Sequence, residues 1–129
     1  MKPVVRLQSL PLVTHSHGDR FEARMAAVGA PAGARRLGSR YVEVPPGKMA
    51  WPYHAHHAND EMFVILQGEG VLRRGGQEYA IGFGDVVVCP AGGAETAHQI
   101  RAVGAVPLRY LASAACTSRT SWNIPTAAR

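Results

Sequence analysis

At 129 residues, 47% hydrophobic and 18% charged, the chain is sized for one domain with a buried core, which excludes a disordered segment. Its net charge of +5 comes mostly from scattered Arg, and no basic run interleaves with aromatics, so neither nucleic acid nor a membrane is the expected partner. Attraction of a small anionic molecule stays open. The two cysteines, Cys89 and Cys116, form no CxxC pair, which excludes a zinc ribbon or a disulfide framework and points to a reducing cytoplasm.

With 14 Gly and 9 Pro and few stretches of helical period, short strands joined by tight turns are expected, an all-β class. Residues 1–20 read as an extended arm: Val4, Val5, Leu7, Leu10, Leu12 and Val13 are apolar anchors, and Pro3 and Pro11 block helix. Such an arm pairs on a sheet edge or swaps onto a partner. The arm contains no signal peptide pattern and nothing approaches the roughly 18 apolar residues of a membrane span. Phe21 to Val28 fits a strand or a helical turn, and residues 29–33 form a loop. Leu37 to Val44 alternates as a strand and stops at Pro45-Pro46-Gly47.

The segment His54-Ala55-His56-His57-Ala58-Asn59-Asp60-Glu61 comes next, holding three imidazoles beside a carboxylate. On a strand, His54 and His56 share a face and both reach one metal ion, while His57 and Asp60 fall on the solvent side. His98, much later, is a candidate to close the site. His15 and His17 also share a parity but have no accompanying carboxylate, so they read as surface residues.

Met62 to Gln67 is a strand, residues 68–70 turn into Val71 to Arg74, and Gly75-Gly76 marks a hairpin into Gln77 to Ile81. Asp85 is expected to accept hydrogen bonds within its own turn. Val86 to Cys89 is an apolar run of the kind buried on both faces, stopped by Pro90, with Cys89 an inert buried thiol. Ala97 to Ala102 and Pro107 to Ala112 are the last strands, followed by a polar tail over 113–129 in which Trp122 and Ile124 are possible anchors. About eight strands at this spacing read as a sandwich or barrel.

Two motifs give the pattern a family likeness. The first is Gly47, six residues, His54-x-His56, four residues, Glu61, six residues, Gly68; the second is Gly84, five residues, Pro90-x-Gly92, five residues, His98. Over about 38–112 the chain resembles a small single-domain bacterial cupin of an uncharacterised subgroup, with one extra residue before His54 and three before His98. The resemblance implies a double-stranded β-helix, or jelly roll, filling a single domain over 1–129. It also implies that His54, His56, Glu61 and His98 point inward and hold one divalent transition metal ion.

That donor set suits Fe(II), Mn(II), Ni(II), Co(II) or Zn(II). Four protein ligands on an octahedral ion leave positions open for a chelating metabolite or dioxygen, the basis for an oxygenase or isomerase. Parity from Glu61 places Phe63, Ile65 and Gln67 in the pocket, and parity from His98 places Ile100 and Ala102 there. Tyr79 and Gln67 are candidate hydrogen-bond partners for a ligand, and Tyr53 belongs at the rim or in a subunit interface. The implied partners are a small-molecule ligand and a second copy in a homodimer. The alternative is a non-catalytic module that binds or senses a small ligand over a structural metal.

Overall fold

A computed structural model describes residues 2–51, 59–92 and 97–115. Among these, nine strands are joined by tight turns: β1 Val13–His17, β2 Phe21–Ala27, β3 Leu37–Val44, β4 Glu61–Gln67, β5 Glu69–Arg74, β6 Gln77–Gly82, β7 Val86–Cys89, β8 His98–Val103 and β9 Leu108–Ala115. They form a six-stranded sheet in the order β1-β2-β3-β9-β4-β7 and a three-stranded sheet in the order β6-β5-β8. Every named pairing is antiparallel. The all-β jelly-roll expectation holds, and Phe21 to Ala27 proves to be a strand. No helix among the described residues is long and apolar enough to cross a membrane.

The two sheets are joined by the segment after β3. Gly47 N donates to Ala102 O and Ala102 N to Lys48 O, each at 2.9 Å, while Met49 N donates to Arg20 O and Glu22 N to Met49 O. Residues 47–49 therefore lie between β2 of one sheet and β8 of the other. Positions on the arm's far end also pair as anticipated: β1 zips onto β2 at the sheet edge, from Val13 against Met25 to His17 against Phe21.

Alternation along the strands builds the core. Val42, Val44, Phe63, Ile65, Leu72, Ile81, Val87, Ile100, Ala102, Leu108, Tyr110 and Ala112 share one buried cluster, contributed by the inner faces of both sheets. Full burial of an Ile65- or Leu108-sized side chain contributes about 1.5–3 kcal/mol each. The turns are set by glycine where φ must be positive. Gly75 and Gly76, at +59° and +80°, make the tight β5–β6 hairpin that their sequence predicts. Gly68 has φ +87°, and a Cβ there would collide with the Pro107 carbonyl oxygen, so the close pass of the β8–β9 connection requires its missing side chain.

One strand departs from expectation. β7 is not buried on both faces: Val87 and Cys89 are inside, but Val86 and Val88 are 54% and 52% exposed. The reason is its place at the edge of the six-stranded sheet, where among the described residues β4 is its one partner strand.

Candidate functional site

The end of the barrel where β4 and β8 begin gathers the polar chemistry. Glu61, the first residue of β4, stands in register with Cys89 of β7 on one side and Ala114 of β9 on the other. His98 opens β8 in the opposite sheet. Both are buried, at 4% and 3% exposure, and His98 Nε2 lies 3.1 Å from Glu61 Oε1, bridging the gap between the sheets. Beneath them the Phe63 ring sits 5.7 Å from the His98 imidazole, and it meets Tyr110 edge to face at the same distance. Phe63, Ile65 and Ile100 line the inner face as parity required, each no more than 5% exposed.

The electrostatics follow from that burial. Desolvation pulls the His98 imidazole down, but interaction with Cys89 and then with Glu61 outweighs it and raises the group to about 10. In the metal-free protein the imidazole is therefore protonated at neutral pH. Tyr110 is driven well above the ordinary phenol range by burial and by the Glu61 charge, so it stays a neutral phenol. Cys89, 1% exposed and free of any disulfide, belongs to this group of contacts. Its reading as an inert core thiol missed its neighbours; the signal was its parity with Val87 on a strand facing Glu61.

Two residues expected in the pocket are elsewhere. Gln67 lies on the outer face, accepting a hydrogen bond at 2.6 Å from Arg109 Nη1, because the β4–β9 register shifts between Ile65 and Gln67 and the bulge breaks the count of two. Tyr79 is 48% exposed on the edge strand β6, where its hydroxyl donates to Gln77 Oε1, and it borders an open cleft between β6 and β7 instead of the barrel interior. Asp60 is exposed as expected and accepts a hydrogen bond from Ala91 N at 2.7 Å. Asp85 does close its own turn, its Oδ2 accepting from Gly82 N at 2.7 Å.

His54, His56 and His57, with Tyr53, lie outside the described residues, as do residues 93–96 of the loop before His98 and the tail carrying Cys116, Trp122 and Ile124. Among the described residues no group of three or more His, Cys, Asp or Glu is placed to hold a metal, and His15 and His17 on β1 make none. What the described residues do supply is a carboxylate oxygen and an imidazole nitrogen, buried and facing each other from two sheets. A hard oxygen and a borderline nitrogen 3.1 Å apart are of the donor types that suit two positions of a divalent transition-metal site.

Residues 40–113 match the family model for the Cupin domain. An oxalate-binding protein of Thermotoga maritima is 31% identical over 103 residues, which span 78% of this chain and 81% of that one. An uncharacterized protein of Methanocaldococcus jannaschii is also 31% identical, over 58 residues, and there the match spans only 44% of the relative's length. Among solved structures, a protein of Acidithiobacillus ferrooxidans provisionally named a sugar phosphate isomerase superposes with TM-score 0.79 at 26% identity, covering 88% of this chain and 75% of the other. A predicted oxalate decarboxylase of Thermotoga maritima superposes with TM-score 0.74 at 29% identity, covering 88% of this chain and 98% of the other.

Proposed function

The chain belongs to the cupin family, and from that premise we propose that it is a metal-dependent enzyme, of oxygenase or isomerase type, acting on a small metabolite in the barrel pocket. His54, His56, Glu61 and His98 would hold one divalent transition metal ion. The observation that carries this reading is the buried Glu61–His98 contact of 3.1 Å. A solvent-free carboxylate and imidazole are costly to bury without a role, and they stand where both motifs converge.

The ion, when bound, supplies Lewis acidity and open coordination positions. The rest of the site is the work of this chain's own side chains. Glu61 and His98 present their donor atoms from opposite sheets, so the ion would tie the sheets together at this end. Phe63, Ile65 and Ile100 give the pocket a dry floor that strengthens electrostatic contacts with a bound ligand. Tyr110, held as a neutral phenol below Glu61, adds no competing charge.

A second reading has support of its own: the Thermotoga maritima relative that aligns over most of both chains is named an oxalate-binding protein. On that reading the chain binds a small ligand without turning it over. Loading the protein with Fe(II), Mn(II) or Zn(II) and screening chelating metabolites separates the two. Turnover or oxygen uptake supports the enzyme; saturable binding with no product supports the binding module. A homodimer is the assembly we expect, tested by sedimentation equilibrium.

A further inference from the structure

The two sheets leave a gap where β6 and β7 meet. β7 ends the six-stranded sheet and β6 ends the three-stranded one, and among the described residues neither has a strand partner on its outward edge. Between them lies an open cleft of about 670 Å³, floored by the buried Leu72, Ile81 and Val87 and bordered by Tyr79. That volume, an apolar floor and a few polar groups at the margin are the features of a small-ligand site.

Main-chain groups line the cleft as well. Asp85 O accepts from Ile65 N of β4 at 2.9 Å, so alternation turns the peptide groups of Val86 and Val88 the other way, toward the cleft. Val88 O agrees, since it accepts from Arg74 Nη1 at 3.0 Å across the gap. On β6, Gly82 N donates to Asp85 Oδ2 at 2.7 Å, away from β5, so Ala80, two residues earlier, presents its peptide groups to the same side. Two opposite charges mark the ends of the cleft. Arg74 stands at the hairpin end, where Val88 O takes one of its five N–H donors. Asp85 stands in the turn between β6 and β7, with Oδ2 engaged by Gly82 N and a second carboxylate oxygen left to accept. From Asp85 to Val88 the strand rises by roughly 10 Å.

We propose that this cleft binds a short extended peptide, about three residues long, with its free amino group at Asp85 and its free carboxylate at Arg74. Three residues of extended chain span the same roughly 10 Å that separates the two charges, whereas a single amino acid cannot reach both. In this direction the peptide runs antiparallel to β6, whose first residue, Gln77, lies toward Arg74 and whose last, Gly82, lies at Asp85. Its main chain would bond to the edge groups of Val86, Val88 and Ala80, and alternate side chains would rest on Leu72, Ile81 and Val87. Charge-assisted bonds at the two termini fix the direction. The site uses none of the residues assigned to the metal.

The test titrates isotope-labelled wild-type protein with trivaline, trivaline amide, N-acetyl-trivaline and valine, following backbone amide signals by NMR. The expected result is a saturable shift at Ala80, Val86 and Val88 with trivaline, at a Kd of roughly 1 mM or below. Capping either end is expected to weaken binding about tenfold, and valine to give no saturation. Arg74→Gln is expected to lose about tenfold in affinity for trivaline and nothing for trivaline amide, which has no carboxylate to lose. Asp85→Asn, which keeps an acceptor for Gly82 N, is expected to do the same for trivaline against N-acetyl-trivaline. The capped peptides are read on wild-type protein, so a variant that fails to fold leaves the test intact. Equal affinity for trivaline and its capped forms overturns the proposal, as does the absence of a saturable shift. Shifts confined to the Glu61 and His98 end would overturn it too, by placing the peptide in the barrel.

Discussion

Among the described residues one polar row runs along the outer face of the six-stranded sheet, and another polar contact spans the gap between its inner face and the three-stranded sheet. On the outer face a row of cross-strand neighbours runs from Arg24 on β2 through Glu43 on β3 and Arg109 on β9 to Gln67 on β4. Glu43 lies 3.1 Å from Arg24 and 3.4 Å from Arg109, and it accepts a hydrogen bond from Tyr41 at 2.8 Å. On the inner face Glu61 meets His98 across the gap between sheets. The arginine side chains of the outer row are 46% and 38% exposed, whereas Glu61 and His98 are sealed from water. Water screens the arginine ends of the first network, while the Glu43 side chain is 12% exposed; the second network is buried at both ends. Burial marks where the chemistry sits.

The sharpest way to break this contrast is to remove one inner partner. Glu61→Ala in metal-free protein leaves His98 buried without its carboxylate, and urea unfolding is expected to show a loss of about 3–5 kcal/mol. A loss under about 1 kcal/mol, the scale of an exposed pair, would put the two networks on the same footing.

The next effect is a pH dependence. His98 is raised from 6.5 to about 10 in the folded chain, so its charged form stabilises the fold. That contribution is complete below the unfolded value and is lost as pH rises through the folded one. Thermal melts in chelator are expected to show the metal-free protein weakening between about pH 6.5 and pH 10, with Cys89→Ala moving the loss to lower pH. A flat profile over that window would show that His98 is not held charged.

The smallest effect belongs to the outer row. Glu43→Gln is expected to cost less than about 1 kcal/mol in urea unfolding and to leave metal content unchanged. It should also lower the titration of Tyr41, whose hydroxyl is raised to about 12 by burial first and then by its bond to Glu43; ultraviolet titration of tyrosinate reads this directly.

Much of this was legible in the residues. The glycines at turns and the two spaced motifs are local signals, and they led to the jelly roll and to Glu61 and His98. What failed depended on neighbours that a single strand does not encode. Val86 and Val88 look like core until β7 is known to be an edge. Gln67 shares the parity of Glu61 until the bulge after Ile65 turns it outward. Tyr79 could be placed only by knowing that β6 borders solvent.

The most direct measurement is the metal content of wild-type protein and His98→Ala, each purified without added metal and analysed for Fe, Mn, Ni, Co and Zn. The expected result is one divalent ion per wild-type chain and a fall of at least about tenfold in His98→Ala, since even residues that only support a ligand cost that much. Metal content unchanged in His98→Ala would contradict the four-ligand site and remove His98 from it.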